Sequence, residues 1–270
     1  MSQRNSQAAK TAARERLRQE RERDAKRAKA RRQLVVAVSV VAGLAIAGGV
    51  AYGIVQANKP SAWEAAKDAK LVAPANTSGK DGLDVIIGKA EAEKTLEVYE
   101  DPRCPVCASF EQTVGEAVKK GMDDGRYKVQ FVGASFLDDR LTGTGSKNAL
   151  SALGAALDVS PEAFLDFKAA LYSAEFHPEE STDKLADDAY LIKIANSVDA
   201  LKGNKDFEKD VKDGTFDKWA LEMSEKFQNS EGVEGTPTLK MDGKVVTSAN
   251  GGAPMTVEEF EAAVGTALKG

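Results

Sequence analysis

One uncharged stretch divides the chain into two parts. The 22 residues from Leu34 to Val55 contain no charged side chain and only Ser39 and Tyr52 as polar groups. A helix of this length spans about 33 Å at roughly 1.5 Å per residue, which is enough for a hydrocarbon core of about 30 Å. The pattern therefore predicts one transmembrane helix, within an anchor segment at residues 33–57, and argues against a buried helix of a soluble domain.

The distribution of charge gives this helix an orientation. Residues 1–32 contain twelve basic and four acidic residues, a net charge of +8, and because the whole chain carries −5, the remainder carries −13. Lys and Arg concentrate on the cytoplasmic side of membrane helices. We therefore expect a single-pass protein of the cell membrane, with the basic arm 1–32 in the cytoplasm and the rest of the chain exported. The acidic remainder argues against nucleic acid as the main partner.

A cleaved signal peptide is the alternative to an anchor. The segment Val55–Ala57 resembles a cleavage site with small residues. The apolar stretch before it is longer than the roughly 7 to 15 residues usual for a signal peptide, which favours an uncleaved anchor. Residues 58–80 mix Pro, Ala, Asn, Ser and Gly without a clear period, and we interpret them as a linker with some helix around residues 62–70.

The first part of the exported domain alternates between strand and helix patterns. "LDVIIG" from Leu83 and "KTLEVYE" from Lys94 predict two short strands. A helical pattern follows and is expected to end at Gly121. "YKVQFVGASF", residues 127–136, predicts the next strand, so that strand, helix and strand fill about 40 residues, the size of a βαβ unit. The apolar positions of the helix are Cys107, Phe110, Val114 and Val118.

The second part begins with helices and returns to strands. Residues at about 143–229 contain several successive helical patterns. "TPTLKMDGKVVTSA" then predicts a hairpin with its turn at Asp242-Gly243. Thr256 and Glu259 have the spacing of a capping box, which predicts the start of a final helix. The predicted order is therefore β, β, α, β, helical block, β, β, α.

The two cysteines of the chain, Cys104 and Cys107, lie in "DPRCPVC". Structural zinc needs four ligands, and these two with the only histidine, His177, make three. A disulfide used only as a staple would close a very short loop and stabilise the fold by on the order of 2 kcal/mol. A redox pair fits best, because Cys104 lies where a strand ends and a helix begins. Pro105 suits the first turn, and the helix N-terminus stabilises a thiolate.

The combination of "CPVC", a long helical insertion and "GTPT" before a hairpin resembles the thioredoxin superfamily, and the insertion is similar to that of the DsbA-like thiol–disulfide oxidoreductases. The resemblance covers residues 81–270 and implies an α/β thioredoxin fold with an inserted helical domain. It implies that Cys104 is the nucleophile and Cys107 the resolving thiol. Pro237 would be cis and the Thr236 backbone would bind peptide. No cofactor or metal is implied beyond the redox-active disulfide, and the expected partners are thiols of secreted proteins and a membrane redox protein.

The motif departs from the family pattern at two positions. Pro105 and Val106, between the cysteines, tune the redox pair, and strongly oxidising members have a histidine where this chain has Val106. Many relatives also have a buried acid at the position of Val98. Glu100 can replace that acid if the strand bends, but we expect Glu100 and Arg103 to be solvent-exposed. His177 is expected on a polar surface loop.

Three functions fit this sequence. We expect an exported, membrane-anchored oxidoreductase that donates the Cys104–Cys107 disulfide to secreted proteins. The absence of histidine at position 106 leaves open a reductase or isomerase that is supplied with electrons at the membrane. The third alternative is a thioredoxin-fold module that binds a partner without catalysis.

Overall fold

The computed structural model describes residues 61–270 continuously, and before them five helical, exposed side chains, namely Arg14, Arg18, Arg21, Arg23 and Lys26. Ser61–Gly270 forms one compact unit, distinct from Met1–Pro60. The predicted anchor at 33–57 lies outside the described residues. Among those that are described, no helix combines the length and the apolar character needed to cross a bilayer.

A mixed five-stranded sheet forms the centre of the described domain, in the order β1-β3-β2-β4-β5. Neighbouring strands β2 and β3 run parallel, and the other three pairs are antiparallel. Parallel neighbours need a long crossover between them, and here a helix provides it. The strands are β1 (Val85–Ile87), β2 (Thr95–Glu100), β3 (Lys128–Gly133), β4 (Thr238–Met241) and β5 (Lys244–Val245).

Strand β3 is shorter than the sequence pattern indicates. The prediction extended it to Phe136, but the strand ends at Gly133 and a helix begins at Phe136. The Ala134 N–H still donates to the Glu100 carbonyl at 2.7 Å, whereas the next N–H, of Ser135, donates to the Ser224 hydroxyl at 3.1 Å. The backbone therefore leaves the sheet there because a helix of the insertion supplies the hydrogen bond.

Helix α2 (Pro105–Asp123) connects β2 to β3, after a short helix α1 (Ala62–Lys67) earlier in the chain. The four apolar positions predicted for α2 are all buried. The prediction that the helix ends at Gly121 is wrong, because the helix continues through it to Asp123. A Cβ at Gly121 would lie 2.2 Å from the Tyr127 hydroxyl. Glycine is required there for close packing, not as a helix stop.

The helical insertion begins earlier than predicted, at Phe136, and ends at Gln228. Its central helix α4 is buried on most of its surface and packs against α5 and α8. The insertion contains α3 (Phe136–Leu141), α4 (Gly145–Val159), α5 (Pro161–Tyr172), a 3₁₀ turn (Lys184–Ala186), α6 (Asp188–Ala195), α7 (Lys205–Asp213) and α8 (Asp217–Gln228).

The described part of the predicted linker lies against the insertion. Helix α1 packs beside α8, and Lys218 on α8 donates to the Lys67 carbonyl at 2.9 Å. Further along, the Ala75 N–H donates to the Asp158 carboxylate at 2.7 Å. Residues 61–80 are therefore part of the packed domain, and only the preceding part of the linker lies outside the described residues.

The C-terminal elements follow the sequence pattern. Asp242 and Gly243 both have positive φ, 50° and 77°, as a two-residue hairpin turn requires. Helix α9 (Val257–Ala267) begins after Thr256, whose side chain accepts the Glu259 N–H at 3.2 Å. The Glu259 carboxylate accepts the N–H of Met255 at 3.0 Å, one residue earlier than in a standard capping box.

Candidate functional site

The two cysteines lie at the junction between β2 and α2. Cys104 is the N-cap of α2, and its Sγ accepts the Cys107 N–H at 3.4 Å. Pro105 occupies the first turn, where its missing N–H costs no hydrogen bond. Cys107 lies one turn further along the same helix and is fully buried. Both cysteines are free thiols in this structure.

The Thr236-Pro237 segment directly precedes β4, the strand that pairs with β2, and contacts the cysteine pair. The Thr236-Pro237 peptide bond is cis, as predicted. The Cys104 Sγ lies 3.7 Å from the Thr236 carbonyl oxygen. The Thr236 hydroxyl is buried and has no hydrogen-bond partner among the described residues. The fold therefore brings together residues that are 132 positions apart in the sequence.

The surroundings of the two thiols shift their pKa values in opposite directions. A hydrogen bond from the Cys107 side chain, with the N–H groups of Cys107 and Val106, lowers the pKa of Cys104 to about 6, although burial acts in the opposite direction. Burial raises the pKa of Cys107 well above its ordinary value, and the thiol of Cys104 and the charge of Glu100 add to this. At neutral pH the pair therefore holds one thiolate, on Cys104, and one protonated thiol, on Cys107.

Asp101 fixes the loop that leads into the helix. It is fully buried and accepts three hydrogen bonds, from the Arg103 N–H at 3.0 Å, the Leu137 N–H at 3.1 Å and the Ser146 hydroxyl at 2.6 Å. Burial raises the pKa of Asp101 to about 6, while these hydrogen bonds favour the ionised form. The loop beside Cys104 is thus attached at two points to the helical insertion.

Arg103 is buried, with 2% of its surface exposed, which corrects the prediction of an exposed side chain. Its guanidinium lies 3.0 Å from a carboxylate oxygen of Asp138 and 3.3 Å from one of Asp183. It also donates to the Glu180 carbonyl at 3.3 Å. All three partners belong to the insertion, which folds over the residue and excludes water. The burial of Arg103 by these distant residues cannot be predicted from its neighbours in the sequence.

Glu100 is buried as well, with 4% of its surface exposed, so the expectation of a solvated carboxylate is wrong. One of its oxygens lies 2.6 Å from the Lys168 ammonium, which is also 2.7 Å from Glu111. The other oxygen has no hydrogen-bond partner among the described residues. Burial and the nearby Glu111 raise the pKa of Glu100 to about 8, since the one cation, Lys168, does not offset the burial and a second carboxylate. Glu100 is therefore protonated over much of the neutral range.

His177 also differs from its prediction as a residue of an open surface loop. It is only partly exposed, and its Nε2 lies 3.1 Å from the carbonyl oxygen of Pro102. Its ring stacks on Tyr172 at 5.8 Å between centroids. Burial lowers the pKa of His177, which favours the neutral imidazole. His177 therefore contacts the loop before Cys104 through the backbone of Pro102.

Comparison with known proteins places this geometry in a family. A family model described as Thioredoxin matches residues 80–265, more than half of the chain. The chain belongs to the thioredoxin family. The predicted resemblance to the DsbA-like group of that superfamily is confirmed by the helical insertion and by the relatives described next.

Relatives in sequence cover part of the chain. Disulfide bond formation protein D of Bacillus subtilis is 26% identical over 164 residues, which are 60% of this chain and 68% of that protein. The serine/threonine-protein kinase PknE of Mycobacterium tuberculosis is 29% identical over 121 residues, which are 43% of this chain. The matched region spans only 21% of the length of that kinase.

Solved structures share the fold over most of the described domain. MdbA of Actinomyces oris, a thiol-disulfide oxidoreductase, has a TM-score of 0.58 at 22% identity, and the match covers 76% of this chain and 96% of that one. Oxidised BdbD of Bacillus subtilis has a TM-score of 0.57 at 23% identity, covering 75% and 100%. Oxidised DsbA of Mycobacterium tuberculosis has a TM-score of 0.53 at 23% identity, covering 69% and 98%. The predicted thioredoxin fold with a helical insertion is thereby confirmed.

Two positions of the family pattern have different surroundings here. Val98 occupies the position of the acid in many relatives and is buried in the core. A buried acid lies two residues later, at Glu100. Val106, between the cysteines, is 49% exposed and forms an apolar surface directly beside Cys104.

The sequence did not predict which residues of the helical insertion contact the cysteine loop. Lys168 and Asp138 were not predicted as part of the site, yet they pair with Glu100 and Arg103. Lys168 had a visible signal, since it lies on the apolar face of α5 between the buried Phe164 and Leu171. A charged residue on a buried helix face requires a partner in the fold.

Proposed function

We propose that this chain is an exported, membrane-anchored thiol–disulfide oxidoreductase that donates the Cys104–Cys107 disulfide to secreted proteins. The observation that carries the proposal is the asymmetry between the two thiols. The thiolate form is favoured at Cys104 and disfavoured at Cys107. A stabilised thiolate in the reduced form makes the disulfide form a stronger oxidant.

The reaction begins when a substrate thiolate attacks the Cys104 Sγ of the oxidised pair. The Cys104–Cys107 bond breaks, Cys107 leaves as a thiolate and takes up a proton, and a mixed disulfide joins Cys104 to the substrate. A second substrate thiolate then attacks the substrate sulfur of that mixed disulfide. Cys104 leaves as a stabilised thiolate, so the substrate is oxidised by two electrons and the pair is reduced. A low pKa makes Cys104 a good leaving group in this step.

Glu100 is the group that supplies the proton to Cys107 in this proposal. Glu100 raises the pKa of Cys107 further whenever it is ionised, so the two groups interact inside the fold. With a pKa of about 8, Glu100 carries a proton at neutral pH and acts as a general acid. This is the role that we considered for Glu100 from the sequence, now supported by its burial.

Substrate contacts are proposed on the face where Cys104 meets Thr236 and Pro237. The Thr236 backbone would hydrogen-bond an extended peptide there. The exposed Val106 supplies apolar surface, and with Pro105 it contributes to the redox tuning of the pair. This surface suits unfolded secreted proteins with thiols. The redox-active disulfide needs no further cofactor or metal in this mechanism.

The proposed location of the protein rests on the sequence. The basic arm 1–32 would be cytoplasmic, the segment 33–57 would cross the membrane once, and residues 81–270 would function on the extracytoplasmic side. An exported site permits a stable disulfide. Each turnover leaves the pair reduced, so a membrane redox protein is required to oxidise it again.

The reduction potential of the full-length protein in mild detergent, equilibrated against glutathione, tests the direction of electron flow. We expect a value toward about −120 mV, the range of DsbA. A value near about −270 mV, the range of thioredoxin, would overturn disulfide donation and favour the reductase or isomerase. The reductase or isomerase remains the second candidate because this chain has Val106 where strongly oxidising relatives have a histidine.

Cysteine variants test catalysis itself. Cys104→Ser is expected to abolish oxidation of a reduced peptide, and Cys107→Ser to accumulate mixed disulfides through Cys104. Normal function in cells with both cysteines replaced by serine would instead identify a non-catalytic binding module.

A further inference from the structure

We infer that His177 is a positioning residue for Cys104, which it reaches through the carbonyl group of Pro102. The contact holds the cysteine loop where Cys104 can exchange disulfides with a substrate bound beside Thr236. The inference rests on the proposed oxidoreductase function, because only exchange with a substrate needs this alignment. It gives a role to the single histidine of the chain, which lies outside the cysteine motif.

The imidazole of His177 is held on two sides. Its Nε2 lies 3.1 Å from the Pro102 carbonyl oxygen, and its ring stacks on Tyr172 with 5.8 Å between centroids and 13° between planes. Since a carbonyl oxygen can only accept, Nε2 carries the hydrogen and donates it. Tyr172 is buried at the end of α5, so it fixes the plane of the imidazole that makes this hydrogen bond.

The link from Pro102 to the nucleophile is short, because only Arg103 separates Pro102 from Cys104. The backbone between them is tightly folded, and the Cys104 N–H donates to the Asp101 carbonyl at 2.9 Å. Proline fixes its own φ, which leaves the loop less freedom to absorb a shift. A displacement of the Pro102 carbonyl is therefore passed on to Cys104.

The segment that carries His177 also holds Arg103. This segment, residues 173–183, connects α5 to the 3₁₀ turn. Its Glu180 carbonyl accepts from the Arg103 guanidinium at 3.3 Å, and its Asp183 carboxylate lies 3.3 Å from the same group. The Asp183 carboxylate also accepts two N–H groups at the start of α4, each at 3.0 Å, which attaches the segment to the insertion. One segment therefore holds both residues that precede the first cysteine.

The position of Cys104 matters because its sulfur faces the proposed peptide site, with Sγ 3.7 Å from the Thr236 carbonyl oxygen. Disulfide exchange requires the attacking sulfur to approach the bonded pair in the correct direction, and a misplacement of about 1 Å can cost roughly 100-fold in rate. The thiolate of Cys104, in contrast, depends on groups of α2 itself, namely the side chain of Cys107 and the first N–H groups. Positioning and thiolate formation can therefore be measured separately.

Two variants separate the hydrogen bond from the ring stack. His177→Phe keeps a ring on Tyr172 and removes the donor, whereas His177→Gln keeps an N–H donor and removes the ring. The measurement is single-turnover oxidation of a dithiol peptide by the full-length, oxidised protein in mild detergent. We expect His177→Phe to slow it by about tenfold and His177→Gln to stay within about threefold of the wild type. Glu179→Gln, at an exposed neighbour in the same segment, should match the wild type.

Alkylation of the reduced protein by iodoacetamide at pH 8 measures the Cys104 thiolate without a peptide. A small reagent needs no alignment with Thr236, so we expect His177→Phe to react at the wild-type rate and at Cys104 alone. Because Cys107 is fully buried, its alkylation in the variant would show that the fold has loosened, which would overturn the positioning role. Equal losses in alkylation and in peptide oxidation would overturn it as well.

The single histidine also permits a test that needs no activity. Nitrogen chemical shifts of the full-length protein with isotope-labelled histidine identify the tautomer, and we expect a hydrogen on Nε2 of His177. A hydrogen on Nδ1 alone would overturn the inference, because Nε2 would then have nothing to donate to Pro102. If His177→Phe does not fold, His177→Met, which also lacks a donor, takes its place in both rate measurements.

Wild-type peptide oxidation by folded His177→Phe would overturn the positioning role and leave the oxidoreductase intact. A wild-type protein that does not oxidise the peptide would instead overturn the proposed function.

Discussion

The guanidinium of Arg103 lies 3.0 Å from the carboxylate of Asp138, and both side chains are almost completely buried. This pair connects the residue before Cys104 to the helical insertion. Asp138 also accepts the N–H groups of Ser146 and Lys147 at the start of α4. The position of the cysteine loop therefore depends on a buried ion pair. Breaking a buried pair changes the free energy of unfolding more than breaking an exposed one does.

We predict that Arg103→Met lowers the free energy of unfolding by about 3 to 5 kcal/mol, because it breaks a buried ion pair and leaves Asp138 with only the more distant cation of Lys147, at 4.0 Å. Chemical denaturation with guanidinium chloride measures this loss. Lys119→Met is the matched control, since it removes one cation from an exposed pair with Asp123. The control should cost at most about 0.5 kcal/mol. Equal losses in the two variants would show that the buried pair does not hold the loop.

A second prediction concerns the source of the low pKa of Cys104. The rate of alkylation of the reduced protein by iodoacetamide should follow the Cys104 thiolate, with a midpoint near pH 6 and not near the ordinary value of about 8.5. Cys107→Ser keeps a side-chain donor and should retain a midpoint near 6. Cys107→Ala removes the donor that contributes most and should raise the midpoint. Identical midpoints in the two variants would assign the shift to the backbone of the helix.

The same shift makes the stability of the reduced protein depend on pH. The pKa of Cys104 is lower in the folded than in the unfolded chain, so the folded state binds fewer protons between about pH 6 and pH 8.5. The contribution of Cys104 to stability is therefore present above the unfolded value and is lost as the pH falls through about 6. The alkylation measurements therefore need conditions in which the reduced protein stays folded from about pH 6 to pH 8.5.

Local sequence patterns correctly predicted the features that depend only on residues close together in the chain. The order of the elements, the N-cap position of Cys104 and the turn at Asp242-Gly243 depend on residues within a few positions of each other. The burial of Glu100 and Arg103 was missed because it depends on partners 68 and 35 positions away, Lys168 and Asp138. These partners arrive only when the insertion folds over the site, and charged residues beside a loop otherwise indicate solvent exposure.

A third prediction compares two glycines that lie inside helices, Gly121 in α2 and Gly265 in α9. A Cβ at Gly121 would clash with the Tyr127 hydroxyl at 2.2 Å, whereas one at Gly265 in α9 would meet no atom within 4 Å. We expect Gly121→Ala to destabilise the protein, since Tyr127 is fully buried and hydrogen-bonded to the Val118 carbonyl. Gly265→Ala should stabilise it by up to about 1 kcal/mol through helix propensity alone. Thermal unfolding compares both with the wild type, and a stabilised Gly121→Ala would contradict the close packing.

The last prediction tests the protonation of Glu100 through stability. The pKa of Glu100 is about 8 in the folded chain and about 4.3 in the unfolded one, so the folded state binds more protons between these values. The contribution of Glu100 is complete below the unfolded value and is lost as the pH rises towards 8. Glu100→Gln imitates the protonated form at every pH. The free energy of unfolding of this variant should therefore fall less from pH 6.5 to pH 8 than that of the wild type.

The measurement uses the oxidised protein, in which neither cysteine titrates, and chemical denaturation at pH 6.5, 7.2 and 8. Asp166→Asn, which removes an exposed carboxylate, should follow the wild-type slope. Parallel curves for Glu100→Gln and the wild type would mean that Glu100 is already ionised beside Lys168 at pH 6.5. Glu100 would then have no proton to give, and the source of the Cys107 proton would lie elsewhere. A shallower slope for the variant establishes that the buried acid holds a proton where disulfide exchange requires one.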